Sequence, residues 1–277
     1  MTTPASLSDQ TIACLQFFNR WETPLDNQAH KAYLRLRQAA PDFATFHKLA
    51  PAGSEDRRLF ERFLGSFEDA GQLIRAGQMS PDLFFDSWYE MPRAWEGAKP
   101  YVLGLRVEHN EPRLFEHFEW LAQRAEQFWH DREQHPPRWQ PISYPEPTPA
   151  DRAVFDAFDQ GTPRDAAAWA LLDELRQSAP DYAAFEQAVP LSSPQFVTFD
   201  WLMCAYDHAG VLTKNGVLHP ALLFGAWRSP AEVWAITETW VRGLQRARNS
   251  PHLYENVEWL ARLERQWPAA SAHGQLE

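Results

Sequence analysis

The sequence predicts an all-α fold built from two homologous multi-helix domains in tandem. Three observations support this prediction: an internal repeat, apolar residues spaced three and four apart, and a proline-rich segment between the two copies. The chain has 277 residues, of which 44% are hydrophobic and 14% aromatic, so it can bury enough apolar surface to offset the entropy lost on folding. A chain of this length is also expected to form two domains or one doubled unit.

The internal repeat has a constant offset of 139 residues, since Pro41 recurs as Pro180. Residues 40–46 read Ala-Pro-Asp-Phe-Ala-Thr-Phe, and residues 179–185 read Ala-Pro-Asp-Tyr-Ala-Ala-Phe. The same offset holds without a gap for about a hundred residues, and roughly a third of the aligned positions are identical. We therefore expect a duplication in which both copies share one fold.

Apolar residues follow a helical spacing in both copies, as Leu59, Phe63 and Phe67 show in the first. No segment alternates polar and apolar residues for long enough to predict a strand. The predicted helices are 8–20, 24–39, 42–49, 55–75, 81–95, 97–109 and 112–131 in the first copy, and 149–160, 163–178, 181–188, 194–214, 220–228, 230–248 and 251–267 in the second.

Capping residues mark several of these helix ends. A serine before a proline, or an aspartate after one, is typical of a helix start, and a glycine after an apolar segment is typical of a left-handed helix end. The predicted starts are Ser80-Pro81, Ser250-Pro251, Asp42 and Asp181, and the predicted ends are Gly77 and Gly216.

The repeat and the prolines also set the predicted domain boundaries. The parts are copy one at 1–131, a linker at 132–148, copy two at 149–268 and a tail at 269–277. Proline favours an extended linker, while Trp139 and Tyr144 within it are expected to pack along a domain surface. The two copies are expected either to meet across a pseudo-twofold interface or to stack end to end.

Composition predicts a cytoplasmic protein without a membrane segment. The first ten residues lack a basic and an apolar signal region, and no stretch approaches the roughly 18 consecutive apolar residues that span a bilayer. Cys14 and Cys204 are expected to be buried thiols in a reducing compartment. The net charge of −11 opposes binding to a phosphate backbone, so nucleic acid is not an expected partner.

The last part of each copy carries a recognisable pattern. In the first copy the pattern is Gly77, Pro81-x-Leu83, Trp88, Trp95, Arg106 and Pro112-x-Leu114-Phe115-Glu116-x-Phe118-Glu119-Trp120-Leu121. It resembles an uncharacterised bacterial all-helical domain of unknown function over residues 55–125, and less closely over 194–264. The second copy departs from it at Gln245, in place of Arg106, and at Val257, in place of Phe118. The resemblance implies a helical fold and carries no known activity.

Familiar catalytic and cofactor motifs are absent from the sequence. Gly-x-Gly-x-x-Gly, Gly-x-x-x-x-Gly-Lys, His-Glu-x-x-His, Gly-x-Ser-x-Gly and Glu-x-x-His do not occur. We therefore predict no cofactor and no metal centre, assign no catalytic residue, and favour a protein that is not an enzyme.

Acidic residues at matched positions in both copies are the candidate site residues. They are Glu61 and Asp200, Glu68 and Asp207, Glu116 and Glu255, and Glu119 and Glu258. One interpretation is that four carboxylates per copy bind a cation or share a proton for acid–base catalysis. The other is that they cap neighbouring helices or pair with arginines such as Arg62, Arg106 and Arg242, and we favour it because structural ion pairs are commoner.

Tryptophans and arginines form the remaining groups. Tryptophans present in both copies are expected in the shared core, whereas four without a counterpart are candidate interface or pocket aromatics. These four are Trp21, Trp139, Trp169 and Trp201. Two short basic patches, Arg57-Arg58-Arg62 and Arg242-Arg246-Arg248, are expected to be solvated helix faces.

Together these observations favour a non-enzymatic binding or scaffold module of two helical repeats, with a protein as its partner. An alternative is a helical enzyme that binds a small molecule or a metal through the paired carboxylates. A third hypothesis, suggested only by the net charge, is an acidic protein that blocks a nucleic-acid-binding partner. A small ligand is compatible with the first two hypotheses, and the oligomeric state is left open.

Overall fold

The computed structural model describes residues 10–14, 16–17, 24–134, 144–161, 166–191 and 193–267. These residues form α-helices joined by turns and contain no strand, so the all-α prediction is confirmed. The chain divides into unit 1, Met1–Arg138, and unit 2, Trp139–Glu277.

Unit 1 is organised around one long helix, α3. Residues 10–14 and 16–17 of the predicted helix 8–20 are helical, and the rest of that prediction lies outside the described residues. The helices of unit 1 that follow are α1 (Pro24–Ala39), α2 (Phe43–Leu49), α3 (Glu55–Arg75), α4 (Pro81–Ser87), α5 (Met91–Glu108) and α6 (Glu116–Gln134). Helix α3 packs against α1 and α6, while α5 packs against α2 and α6. The apolar stripe predicted for α3 faces this core, where Phe60, Phe63 and Phe67 are buried.

Unit 2 repeats this order, and its first helix matches the helical residues 10–14 and 16–17 of unit 1. Its helices are α7 (Pro149–Gly161), α8 (Ala166–Ser178), α9 (Tyr182–Ala188), α10 (Pro194–Lys214), α11 (Pro220–Ala226), α12 (Pro230–Arg248) and α13 (Glu255–Gln266). Helix α10 packs against α8 and α13, and α12 packs against α9 and α13, as their counterparts do in unit 1. Helix α11 packs against α7.

A matched aromatic side chain fastens α5 and α12 to the same backbone position in each unit. The Tyr101 hydroxyl donates a hydrogen bond to the carbonyl oxygen of Ala40. At the matched position of unit 2, the indole N–H of Trp240 donates to the carbonyl oxygen of Ala179 at 2.8 Å. Tyrosine and tryptophan each combine an apolar ring with one polar group, which explains how the two residues replace each other here.

Most of the predicted caps are confirmed. Asp42 accepts a hydrogen bond from the Thr45 backbone N–H at 2.7 Å, and Asp181 does the same for Ala184 at 2.9 Å. Ser80 caps α4 in the same way. The predicted C-cap glycines have φ angles of +68° at Gly77 and +71° at Gly216, a conformation that other residues rarely adopt.

The predicted helices at 81–95 and 97–109 are divided at the wrong place. The structure separates α4 from α5 several residues earlier, and Pro92 lies in the first turn of α5, where its missing N–H is not needed. Gly97, the first residue of the predicted helix 97–109, lies inside α5. A Cβ there would come within 2.5 Å of the Tyr33 hydroxyl, so packing explains this glycine.

The predicted helices at 112–131 and 251–267 start too early. Both α6 and α13 follow a turn whose last residue is left-handed, with φ of 58° at Phe115 and 56° at Tyr254. A left-handed residue cannot belong to a right-handed helix, so each helix begins one residue later. The Ser-Pro pair at Ser250 therefore precedes a turn, and the prediction that it starts a helix is wrong.

Neither cysteine forms a disulfide. Cys14 is buried, and the loss of solvation raises the pKa of its thiol to about 12. Cys204 is only half-buried, so the expectation of burial is correct for one thiol and wrong for the other.

Helix α2 lies so close to α5 that only glycine fits between them. A Cβ at Gly104 would lie 2.1 Å from Cγ of Phe43. We expect Gly104→Ala to lower the free energy of unfolding by about 1–3 kcal/mol, the usual cost of overpacking. Gly65→Ala is the control, because a Cβ there meets nothing within 4 Å and alanine favours a helix by up to about 1 kcal/mol. Urea unfolding should shift in opposite directions, and equal shifts would contradict the packing argument.

Candidate functional site

Two matched carboxylates hold the amino end of the last helix in their unit. On α3, Glu68 accepts a hydrogen bond from the Phe118 backbone N–H in the first turn of α6, at 2.9 Å. On α10, Asp207 accepts hydrogen bonds from the backbone N–H and the side-chain amide of Asn256 in α13, at 3.0 and 3.3 Å. The first N–H groups of a helix lack intrahelical partners. Each carboxylate therefore caps a helix against which its own helix packs.

A glycine one turn further along brings the two helices together at each cap. A Cβ at Gly71 would lie 2.6 Å from the His117 carbonyl oxygen, and a Cβ at Gly210 would lie 2.5 Å from that of Asn256. Any larger residue would push the capped helix away from the carboxylate. The matched glycine and the matched carboxylate thus serve one structural purpose.

Burial makes the Glu68 carboxyl harder to ionise. Loss of solvation raises its pKa, and the hydrogen bond from Phe118 together with the nearby His117 opposes the rise. A raised folded-state pKa gives a stability contribution that is present below the ordinary glutamate pKa and lost as the pH rises through the folded-state value. The protonated form of Glu68 is therefore the better tolerated one in the fold.

We expect the wild type to gain stability relative to Glu68→Gln as the solution is acidified. Glutamine keeps an oxygen that accepts the Phe118 N–H but has no proton to gain, so it removes only the titration. Urea unfolding of both proteins between about pH 7 and about pH 4, the side on which glutamate titrates, measures the difference. A difference that is constant with pH, or that grows in the opposite direction, would contradict the assignment.

Glu119 and Glu258 form ion pairs with the preceding helix, but from different positions. In unit 1, Arg106 of α5 lies 2.9 Å from Glu119. In unit 2, Gln245 occupies the matched position, and Arg242, one turn earlier in α12, lies 2.7 Å from Glu258. Both units therefore keep the ion pair, although the arginine of unit 2 lies one turn earlier in its helix than the arginine of unit 1.

The residue that replaces the arginine also keeps its second contact. Arg106 donates through Nε to the carbonyl oxygen of Leu114 at 2.9 Å. Gln245 donates through Nε2 to the carbonyl oxygen of Leu253, its counterpart, at 2.8 Å. Both side chains fix the turn before the last helix, so the departure from the family pattern at this position leaves the local structure intact.

Glu61 and Asp200 contact different partners in the two units. The Glu61 carboxylate lies 2.5 Å from Nε of Arg57. Asp200 instead accepts a hydrogen bond from the Tyr254 hydroxyl, which belongs to the left-handed residue before α13. In each case the partner lies within the same unit.

Glu116 and Glu255 are the first residues of α6 and α13 and bind the turn before them. Glu116 makes a two-point contact with the guanidinium of Arg113, which holds the pKa of its carboxyl below the usual value. Glu255 lies 2.8 Å from Nδ1 of His252 at the matched position. A carboxylate in the first turn also interacts favourably with the helix dipole.

All eight candidate carboxylates therefore have polar partners within their own unit. In the part of the chain that the structure describes, no three histidine, cysteine, aspartate or glutamate side chains lie together so as to hold a metal ion. The carboxylates join α3 to α6, α5 to α6 and their counterparts in unit 2. This geometry is the one expected from the structural interpretation of the acidic residues.

The candidate aromatics have different surroundings. Trp169 is half-buried, with the Arg228 guanidinium 5.3 Å from its ring centre and the Tyr206 ring 6.0 Å away on an edge. Trp201 is also half-buried, on α10. Trp21 and Trp139 lie outside the described residues. Among the tryptophans present in both copies, Trp95 and Trp234 are buried, while Trp88, Trp227, Trp120 and Trp259 are half-buried.

The prediction that Arg57, Arg58 and Arg62 form a solvated helix face is wrong for Arg57. Arg57 is only 2% exposed, its guanidinium lies 3.1 Å from Glu108 as well as 2.5 Å from Glu61, and it lies 5.1 Å from the centre of the Phe46 ring. The repeat carries a signal for this burial, because the matched residue of unit 2 is the apolar Phe196, which is also buried.

The outer side of α5 differs in character from the matched side of α12. Pro100, Leu103 and Val107 follow one another at spacings of three and four, and all three are exposed. Leu103 is 47% and Val107 82% exposed. We call this surface the α5 face. The matched residues of α12 are Thr239, Arg242 and Arg246.

None of the helices in the described residues combines the length and the apolar character that crossing a membrane requires.

The fold and these matched contacts define an all-helical protein in which one domain occurs twice. The model of the domain-of-unknown-function family DUF4760 matches residues 7–125 and again residues 164–267. The chain belongs to this family and carries two copies of its domain, so the predicted duplication and resemblance are confirmed. No curated protein and no solved structure matches the chain.

Proposed function

We propose that this protein is a non-enzymatic binding module and that the α5 face contacts the apolar surface of another protein. The observation that carries the proposal is the contrast at two matched positions. Leu103 and Val107 are exposed in unit 1, whereas unit 2 builds the same helix with Arg242 and Arg246. The shared fold therefore does not require apolar residues at these positions, and a contact outside the fold gives them a role.

The chemistry of the α5 face fits a protein partner. Neighbouring exposed aliphatic side chains on a helix are typical of contact surfaces, where their removal from water stabilises the complex. Lys99 and Glu96, beside this face, pair with each other at 3.4 Å. The surface therefore carries little net charge, and it favours an apolar partner over a strongly charged one.

The carboxylates support the same proposal by their use in the fold. An acid–base pair needs carboxyl groups that reach a substrate, whereas Glu68 and Asp207 are used as helix caps and Glu119 and Glu258 as ion-pair partners. We therefore place the function on the α5 face, which differs from the matched surface of α12, and not on the carboxylates that the two units share.

We propose Trp201 as a second contact, in unit 2. It is half-buried on α10 at the position where unit 1 has Arg62, which pairs with the buried Asp26 at 2.6 Å. An indole is therefore not required by the shared fold at this position. Aromatic side chains are enriched at protein interfaces because they combine a large apolar area with few rotatable bonds.

The test replaces the α5 face by the residues of unit 2. Immobilised full-length wild type is compared with the double variant Leu103→Arg, Val107→Arg in capture from a lysate of the source cells. The control, Gln123→Arg with Gln127→Arg, adds the same charges at the same spacing on exposed positions of α6. We expect the wild type and the control to retain the same protein and the α5 variant to lose it at least about tenfold, equivalent to 1.4 kcal/mol. Equal retention by all three proteins would contradict the proposal.

A further inference from the structure

Unit 2 has a histidine at a helix start where unit 1 has a serine. In unit 1, Ser80 caps α4 by accepting the Leu83 backbone N–H at 3.4 Å. At the matched position, His219 caps α11 by accepting the Ala221 backbone N–H at Nδ1, at 3.2 Å. His219 is 5% exposed. The cap of unit 2 is thus a titratable group enclosed by the fold.

The two ring nitrogens of His219 have partners that fix their protonation. Nε2 lies 2.6 Å from the carbonyl oxygen of Pro145, which can only accept, so Nε2 carries the hydrogen. Nδ1 faces the Ala221 N–H, which can only donate, so Nδ1 carries none. The contacts therefore define a neutral ring with one tautomer.

This ring joins α11 to the extended segment that enters unit 2, residues 144–148, which we call the strap. The Tyr144 hydroxyl donates to the carbonyl oxygen of Thr213 at the end of α10, at 2.7 Å. The Tyr144 ring centre lies 5.6 Å from that of His219 and 5.6 Å from that of Trp267. One histidine thus contacts the strap and caps α11 at the same time.

We propose that His219 is a pH-sensitive latch that holds the strap against the start of α11 and loosens it in acid. Protonation of Nδ1 converts the acceptor of the Ala221 N–H into a second donor facing that N–H. The added charge also lies at the amino end of a helix, where the dipole disfavours a cation. The ring then has to move, and it takes with it the contact to Pro145.

The groups around the ring determine how strongly acid acts. From α7, Asp151 favours the charged ring. Its carboxylate accepts the hydroxyl and backbone N–H of Thr148 at 2.6 and 2.7 Å, which hold its pKa below the usual value and keep it ionised in acid. From the strap, Tyr144 is neutral because burial raises its pKa to about 12, and Glu146 is exposed.

The other elements around the ring add no charge that reverses this balance. At the end of α10, the Lys214 ammonium is held by the side-chain oxygen of Asn256 at 3.1 Å. Helix α11 contains no ionisable side chain, and the ring that follows α13 is that of Trp267. The repulsion from the Ala221 N–H acts at hydrogen-bond distance and is the closest interaction of Nδ1.

The test compares the full-length wild type with His219→Ser, which installs the cap residue of unit 1. Amide hydrogen exchange is measured from about pH 8 to about pH 5, the range in which histidine titrates, and corrected for the intrinsic effect of pH. We expect the protection of residues 221–223 to fall by about tenfold in the wild type as the pH is lowered, the scale of losing one helix cap. Protection in the variant, and at residues 83–86 behind Ser80, should stay constant.

A second measurement tests the proposal even if His219→Ser does not fold. Nitrogen NMR of histidine-labelled wild type should show His219 with its proton on Nε2 at neutral pH. A proton on Nδ1, constant protection of residues 221–223 in the wild type, or an equal loss in His219→Ser would each overturn the latch.

Discussion

Replacing Asp207 with alanine is expected to lower the free energy of unfolding by about 3 kcal/mol, the upper range for stranding buried donors. Asp207 is 3% exposed, and it accepts both the backbone N–H and the side-chain amide of Asn256. Alanine leaves both donors without their carboxylate in a region that water does not reach. Urea unfolding of the full chain, followed by tryptophan fluorescence and by far-ultraviolet circular dichroism, measures the change.

Glu116→Ala is the matched control among the candidate carboxylates. Glu116 pairs with Arg113 at the surface, where an ion pair contributes about 1 kcal/mol or less. The two variants remove the same kind of group from the same set of shared positions. Equal losses of stability would contradict the view that the buried member of this set is a helix cap.

Arg57→Ala is expected to destabilise the protein by about 3 kcal/mol, as the removal of a buried charged partner commonly does. Its guanidinium contacts Glu61 and Glu108 and lies against the Phe46 ring, so alanine removes two ion pairs and leaves a gap beside an aromatic side chain. Some of the cost comes from the lost packing of the long side chain. The measurement is the same urea unfolding experiment.

The neighbouring Arg58 provides the control for this prediction. Its side chain is exposed and donates to the carbonyl oxygen of Gly53 at 2.9 Å. We expect Arg58→Ala to change the free energy of unfolding by about 0.5 kcal/mol or less, as surface substitutions usually do. A loss as large as that of Arg57→Ala would mean that burial does not distinguish the two residues.

Much of the fold could be predicted from the repeat, because each structural signal occurs twice in the sequence, at matched positions of the two copies. Gly77 and Gly216 both stand where a left-handed residue ends a helix, and Asp42 and Asp181 both stand where a short helix begins. Each signal is local and depends on backbone geometry, which a single residue type can reveal. Its recurrence at the same offset makes a chance match improbable.

The start of the last helix in each unit could not be predicted because its cap comes from another helix. The Ser-Pro pair at Ser250 has the form of a local N-cap, whereas the donors of α13 are satisfied by Asp207, far away in sequence. The left-handed backbone at Tyr254 is imposed by this packing. Because this residue is not a glycine, the sequence does not indicate its left-handed conformation.

The sequence identifies the residues of the candidate site, but it does not show which partners they contact. That Glu119 and Glu258 are shared is visible in the sequence, and so is the replacement of Arg106 by Gln245. That Arg242 supplies the missing ion pair depends on helix packing. The exposure of Val107 likewise needs the structure, because an aliphatic residue in a helical pattern ordinarily indicates core.

The central claim is that function lies on the α5 face and that the shared carboxylates are structural. The measurement that tests it most directly is the native mass of the full-length protein purified from its source, for the wild type, for Leu103→Arg with Val107→Arg, and for Glu68→Gln with Asp207→Asn. We predict a protein complex for the wild type and the carboxylate variant, and its loss in the α5 variant. A bound metal or small molecule that survives in the α5 variant and disappears in the carboxylate variant would contradict the account.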